Sequence, residues 1–317
     1  MIDGLTRKLV ERGHDVTLYA TGDSITSARL RSVYDHPSYP YSWVADEVHT
    51  TKAFQAADEF DIIHNHTYPG VRYGTLVATP TVTTLHNPLR KAILPMFEAF
   101  AEVPYVSISK AQQTPAPMLN YIGIVYNGVD TDELEYSSDS KGYLLHIGLI
   151  CRRKGSHHAV AVARRLGLPL TLAGRVPTEE TEFFHSEIEP YVDGTRIQYI
   201  GEVGGIERVE LFQGAMALLV PIEWDEPFGL VMAEAMACGT PVVAFRRGSV
   251  PEIIIDGLVG FVVADETGMI DAVRRIDRIQ RKTCRNHVVS KFSLDVMTDA
   301  YEGVYAKVLE TSAPRRT

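Results

Sequence analysis

Short apolar runs rich in Val, Ile and Leu alternate with helix-periodic runs along the whole chain, and that alternation leaves few folds open. Strand-like segments are Asp15–Ala20, Asp61–His64, Thr81–Leu85 and Tyr105–Ile108 in the first part. In the second part they are Tyr143–Ile147, Leu170–Ala173, Gln198–Ile200, Ala217–Pro221, Val242–Phe245 and Gly260–Val263. Between them, Ile2, Leu5 and Leu9 mark a helix ending at Gly13, Ala159–Leu166 reads as another, and Leu294–Leu309 as a long amphipathic one. A helix between successive strands returns the chain to the same end of a sheet. The expected class is therefore α/β, doubly wound and parallel.

At 317 residues the chain has the length of about two domains. The polar, aperiodic stretch Asp130–Lys141 reads as the linker. The expected division is 1–134, then 135–292, with a final helix in 293–317 that packs back on the first domain. A doubly wound domain normally leads with a strand and a Gly-rich turn, whereas this chain opens inside a helix. The first domain is expected to lack that strand and loop, leaving ladder groups of the neighbouring strands without partners.

A net charge of −9 and a pI near 5.7 argue against a nucleic-acid partner or an anionic membrane held by bulk charge. Cys151, Cys238 and Cys284 stand apart with no C-x-x-C, so neither a disulfide framework nor a zinc knuckle is indicated, and a reducing cytoplasm is the simplest home. No apolar run is long enough for a transmembrane segment.

The chemistry concentrates at Glu226-Pro-Phe-Gly-Leu-Val-Met-Ala-Glu234, which follows a strand and opens a helix that Gly239 caps. Open N–H groups and the positive end of the helix dipole suit a phosphate, and flanking carboxylates suit hydroxyl groups. A phosphate-and-sugar ligand fits both. Further on, Ser249-Val-Pro-Glu252 has capping-box spacing.

Asn127-Gly-Val-Asp130, Lys154-Gly155, Ala173-Gly174, the Glu226/Glu234 pair and Gly248-Ser-Val-Pro-Glu252 occur in this order along the chain. Together they resemble the retaining GT-B glycosyltransferases of family four, whose two Rossmann-like domains face a cleft that binds a nucleotide-sugar. The resemblance implies transfer of a sugar from a nucleotide-diphosphate donor to an acceptor hydroxyl, with retention and without a metal cofactor. It implies that Glu226 contacts the transferred sugar, that Glu234 holds the ribose, and that backbone amides at Phe228, Gly229 and Leu230 meet the diphosphate. Lys154 matches a lysine that neutralises the leaving group, and His86 matches a histidine that reaches the donor sugar. The family usually places Arg directly after the glycine that ends the preceding strand; here Leu149 follows Gly148, and Arg152 and Arg153 lie close enough for one of them to substitute. Gly174 and Arg175 end a strand on the same side, and Val203 falls in a segment resembling the one that meets the base.

Other residues carry weaker signals. His64 and His66 end a strand, and with no third ligand in sequence His66 reads as lining the cleft on the acceptor side rather than as a metal ligand. Asp130-Thr-Asp132 is a D-x-D in a linker, the wrong context for a metal. His157 and His158 begin a helix and read as surface. The stretch Val33–Trp43 is aromatic for a loop, and Tyr39, Tyr41 and Trp43 are candidate acceptor contacts, against a loop folded on its own rings. Two competing readings are a glycoside hydrolase using Glu226 and Glu234 as acid and base, and a non-catalytic nucleotide-sugar-binding protein.

Overall fold

The computed structural model describes residues 1–38 and 41–312. It forms two compact units, Met1–Gly128 with the segment from Leu294 onward, and Val129–Ser293. The chain changes unit between Gly128 and Val129, ahead of the break after residue 134 read from polarity. Gly128 donates its N–H to the Met297 sulfur at 3.0 Å, while Val129 donates to the Phe292 carbonyl at 2.8 Å. The polar stretch that follows is bound to the second unit, because Arg285 donates to the carbonyls of Thr131, Leu134 and Ala237.

In the first unit the strands are β1 (Thr17–Tyr19), β2 (Arg29–Arg31), β3 (Ile63–Asn65), β4 (Thr81–Leu85), β5 (Tyr105–Ser107) and β6 (Tyr121–Ile124). All pair in parallel, as two sheets: β1 with β2, and β3-β4-β5-β6. Every residue of β4 is buried, which explains an unbroken β-branched run where a one-faced strand would alternate. Val82 and Val106 pack with Leu5 and Leu9 of the helix Ile2–Glu11 and with Leu294, Met297, Tyr301 and Val304 of the helix Leu294–Ser312. The C-terminal helix thus completes this unit's core. A second cluster gathers Leu85, Tyr105, Phe97 and Leu119.

The second unit holds β7 (Tyr143–Ile147), β8 (Leu170–Ala173), β9 (Ile197–Tyr199), β10 (Ala215–Val220), β11 (Val242–Phe245) and β12 (Gly260–Val263). They form one parallel sheet in the order β12-β11-β10-β7-β8-β9. From β7 the order runs one way through β8 and β9; from β10 it runs the other. The switch point of the sheet therefore lies between β7 and β10, the place where open α/β sheets bind ligands at the strands' carboxyl ends. The loop after β7 carries Lys154, and the loop after β10 carries Glu226. No helix among the described residues is long and apolar enough to cross a membrane.

Candidate functional site

The loop after β10 ends at Gly229, the N-cap of the helix Leu230–Ala237, with φ +77° and no side-chain cap. The left-handed backbone favours glycine there, while a Cβ would meet only side-chain atoms, Met232 Cε at 2.8 Å and Glu226 Cγ at 3.1 Å. The Met232 N–H is taken by the Gly229 carbonyl at 3.0 Å, and the start of the helix ahead of it presents the positive helix end. Ser249 fixes the loop, donating its hydroxyl to the Phe228 carbonyl at 3.0 Å and its N–H to the Glu226 carbonyl at 2.9 Å. Despite its capping-box spacing, Ser249 makes no side-chain cap on the helix Val250–Ile253. The Phe228 ring is buried edge-on against Phe292 at 5.7 Å.

Lys154 arrives from the loop after β7 because Gly155 lets the two loops touch. Gly155 has φ +72°, and a Cβ on it would sit 1.8 Å from the Pro221 carbonyl oxygen. Glu223 donates its N–H to the Arg153 carbonyl at 3.0 Å, closing the contact. Lys154 Nζ then lies 2.5 Å from Glu226 Oε2 and 5.1 Å from the centre of the Trp224 ring. Arg153 also faces Trp224, at 5.4 Å, whereas Arg152 turns to Phe183 and Glu187. Leu149, half-buried, supplies no charge.

Glu234 is ion-paired with Arg208, from the helix Gly205–Gly214. Burial raises the Glu234 carboxyl above its usual range, and Arg208 opposes that shift. Sequence reasoning missed Arg208; it lies far along the chain, and nothing in its local pattern separates it from a surface arginine. Val203 is half-buried in the loop leading into the same helix. Gly174 ends β8, donating its N–H to the Gly201 carbonyl at 2.6 Å, and Arg175 beside it is exposed. Glu226 and Glu234 are thus each engaged by a separate cation, an arrangement that suits binding better than the shared proton traffic of a hydrolase pair.

In the first unit His86 follows β4. Its Nε2 lies 2.8 Å from His66 Nδ1, and the His66 ring lies tilted against His64 with the ring centres 4.0 Å apart. His64 is held by Tyr305 OH at 2.8 Å and Thr84 Oγ1 at 2.7 Å. Burial lowers all three imidazoles: His86 to about 4, His64 to about 3, His66 well below its ordinary value. They are neutral at neutral pH. Gln112, also missed in the sequence, donates to the carbonyls of Leu85 and Asn87 at 2.9 and 3.0 Å and so clasps the chain on both sides of His86.

The aromatic stretch divides. Tyr39 lies outside the described residues. Tyr41 is 65% exposed and donates its hydroxyl to Asp46 at 2.9 Å. Trp43 is not in a loop: Ser42 caps the helix Trp43–Phe54 by accepting from Ala45 N–H at 3.2 Å. Its half-exposed ring stacks on Tyr68 at 6.4 Å and lines a cavity of about 370 Å³ with Met96, Phe100 and the ion-paired Glu47 and Arg72.

Three comparisons bear on this arrangement. Residues 132–291 match the model of the glycosyl transferases group 1, and residues 1–133 that of glycosyltransferase family 4. The chain is 29% identical to glycogen synthase of Mycobacterium tuberculosis over 206 residues, 60% of this chain and 49% of that protein, so it spans about half the length of that relative. It is 23% identical over 306 residues to an uncharacterized glycosyltransferase of Methanocaldococcus jannaschii, covering 79% of this chain and 77% of that one. Among solved structures, sucrose-phosphate synthase from Thermosynechococcus elongatus superposes with a TM-score of 0.80 at 18% identity, covering 98% and 93% of the two chains. Anabaena HepE, in complex with UDP and glucose, does so with 0.76 at 17% identity, covering 96% and 94%. At those identities the likeness establishes the fold, GT-B.

Proposed function

The chain belongs to the glycosyl transferases group 1, and from that premise we propose that it moves a hexose from a nucleotide-diphosphate sugar to an acceptor hydroxyl with retention at the anomeric carbon. The observation that carries this reading is the pairing of Lys154 with Glu226 beside the open N-terminus of the helix Leu230–Ala237. A bound donor separates the pair. Its diphosphate takes Lys154 and the helix N–H groups, including those at Gly229 and Leu230, while its sugar hydroxyls take Glu226. Glu234 accepts from the ribose hydroxyls, Val203 meets the base, and Arg153, Gly174 and Arg175 flank the phosphates. His86, neutral and oriented by His66, contacts the transferred sugar. Trp43 and Tyr41 stand on the acceptor side, where the cavity at Trp43 and Tyr68 offers rings and charged groups to a hydroxylated acceptor.

The anomeric carbon–oxygen bond to the diphosphate breaks and a bond to the acceptor oxygen forms on the same face. The acceptor's proton passes to the departing diphosphate, the base nearest it. Catalysis is electrostatic stabilisation of that leaving group by Lys154 and the helix dipole, with no metal required. The three free, buried cysteines suit a reducing compartment such as the cytoplasm.

Calorimetry with UDP, GDP and ADP sugars tests the donor assignment. Glu234→Ala should weaken nucleotide diphosphates by roughly tenfold or more, the cost of a charge-assisted hydrogen bond. Glu226→Ala should cut turnover far more than nucleotide-diphosphate binding. If both variants bind these ligands as the native chain does, the site is wrong. NMR of the product's anomeric configuration tests retention. Leu149, in the place where a cation is expected, supports a second reading, donor binding without transfer. Tight binding with no turnover across acceptors would select it.

A further inference from the structure

The first turn of the helix Ser156–Leu166 sets two histidines beside Glu223, on the loop after β10. Glu223 Oε1 is 3.0 Å from His158 Nε2 and 3.8 Å from His157 Nε2, and one ligand atom from each of the three lies within 4.8 Å of the others. Nitrogen and oxygen ligands at about 2.1 Å from a tetrahedral ion stand about 3.3 Å apart, so small side-chain rotations close the set. The opposite nitrogen of His158 is also occupied. His158 Nδ1 is 2.7 Å from Glu266 Oε1, and the other Glu266 oxygen is 3.4 Å from Arg165.

Glu266 and Glu223 face opposite nitrogens of the His158 ring; with Nδ1–H on Glu266, Nε2 offers its lone pair to a cation that Glu223 also binds. A carboxylate on the far nitrogen is also the usual outer partner of a metal-binding histidine, because it fixes the tautomer. His157 Nδ1 is buried with no hydrogen-bond partner, which leaves Nε2, directed at the same carboxylate, as that ring's polar contact. Both rings are braced, His157 edge-on to Phe183 at 5.5 Å and His158 against Phe245 at 5.3 Å. We propose that His157, His158 and Glu223 bind a divalent transition-metal ion of the Zn²⁺ type, with water completing its coordination. The ion takes no part in the transfer and does not depend on the donor reading; it fixes the loop that carries Trp224.

Cobalt reports on the site directly. Trp43 and Trp224 are the two tryptophans, so in a tag-free Trp43→Phe protein Trp224, next to Glu223, is the sole tryptophan and is excited selectively at the red edge. Titration with Co²⁺ should quench Trp224 saturably and bring up the visible bands of a low-coordinate Co²⁺ ion. Zn²⁺ should displace it. His158→Gln and Glu223→Gln should each weaken the quench more than tenfold, and Glu266→Gln roughly 10–100-fold. Glu223 is exposed, so its substitution keeps the test intact if the His158 variant fails to fold. Absence of saturable quenching, or quenching unchanged by both substitutions, overturns the site.

Discussion

Glu234 is a carboxylate whose burial works against the charge it needs. Burial raises its carboxyl and Arg208 pulls it back, so the ionised form that accepts best from ribose hydroxyls depends on one guanidinium. Arg208→Met removes the opposing charge and leaves burial alone. Glu234 should then stay protonated to higher pH. UDP affinity of the variant should fall as the pH is lowered, and this fall should begin at a higher pH than in the native protein. Calorimetry at three pH values decides it, and parallel profiles for the two proteins would show that Arg208 does not hold Glu234 ionised. The pair also marks a limit of the sequence. Glu234 was legible because it sits at fixed spacing from a helix start, but its partner comes from another βα unit, and no local periodicity records which arginine the fold delivers.

At the scale of elements, legibility followed burial. Thr81–Leu85, Tyr143–Ile147, Leu170–Ala173, Val242–Phe245 and Gly260–Val263 are strands with the bounds their apolar runs imply, since a strand covered on both faces must be apolar throughout. The strands overlooked are β2, Arg-Leu-Arg, and β6, which contains Gly123 and reaches solvent at Ile124. Neither carries a run that distinguishes it from loop. Loops were readable where a glycine is forced, and Gly155 is the sharpest case. Gly155→Ala adds a left-handed strain to a collision with the Pro221 carbonyl, whereas Gly167→Ala, at φ +67° with nothing within 4 Å, adds strain alone. The first should cost about 3 kcal/mol or more and the second about 1 kcal/mol. Urea unfolding measures both. Equal losses would mean that the loop carrying Lys154 does not depend on its close approach to β10.

For the whole molecule, buried neutral histidines set the response to acid. His86 and His146 are lowered to about 4 and His64 to about 3, in each case chiefly by burial. In the unfolded chain each titrates near about 6.5. Below that pH the unfolded state takes up protons that the folded state refuses, so unfolding gains ground as acid is added. The stability these histidines contribute is complete above about pH 6.5 and is lost progressively down to about pH 4, on the order of 3 kcal/mol for each such group. The first unit should lose more, because His64, His66 and His86 are packed together there, whereas the second holds His146, between Ser156 Oγ and the Leu219 carbonyl, and a lowered His157. Trp43 reports on the first unit and Trp224 on the second, so melting Trp224→Phe and Trp43→Phe variants from pH 7.5 to 5 follows each separately. Both transitions should fall in temperature with acid, the Trp43 signal more steeply, and His146→Gln should flatten only the Trp224 profile. A Trp43 transition insensitive to pH across this window would mean that the imidazoles beside His86 are protonated in the folded protein, and would remove the neutral His86 on which the proposed sugar contact rests.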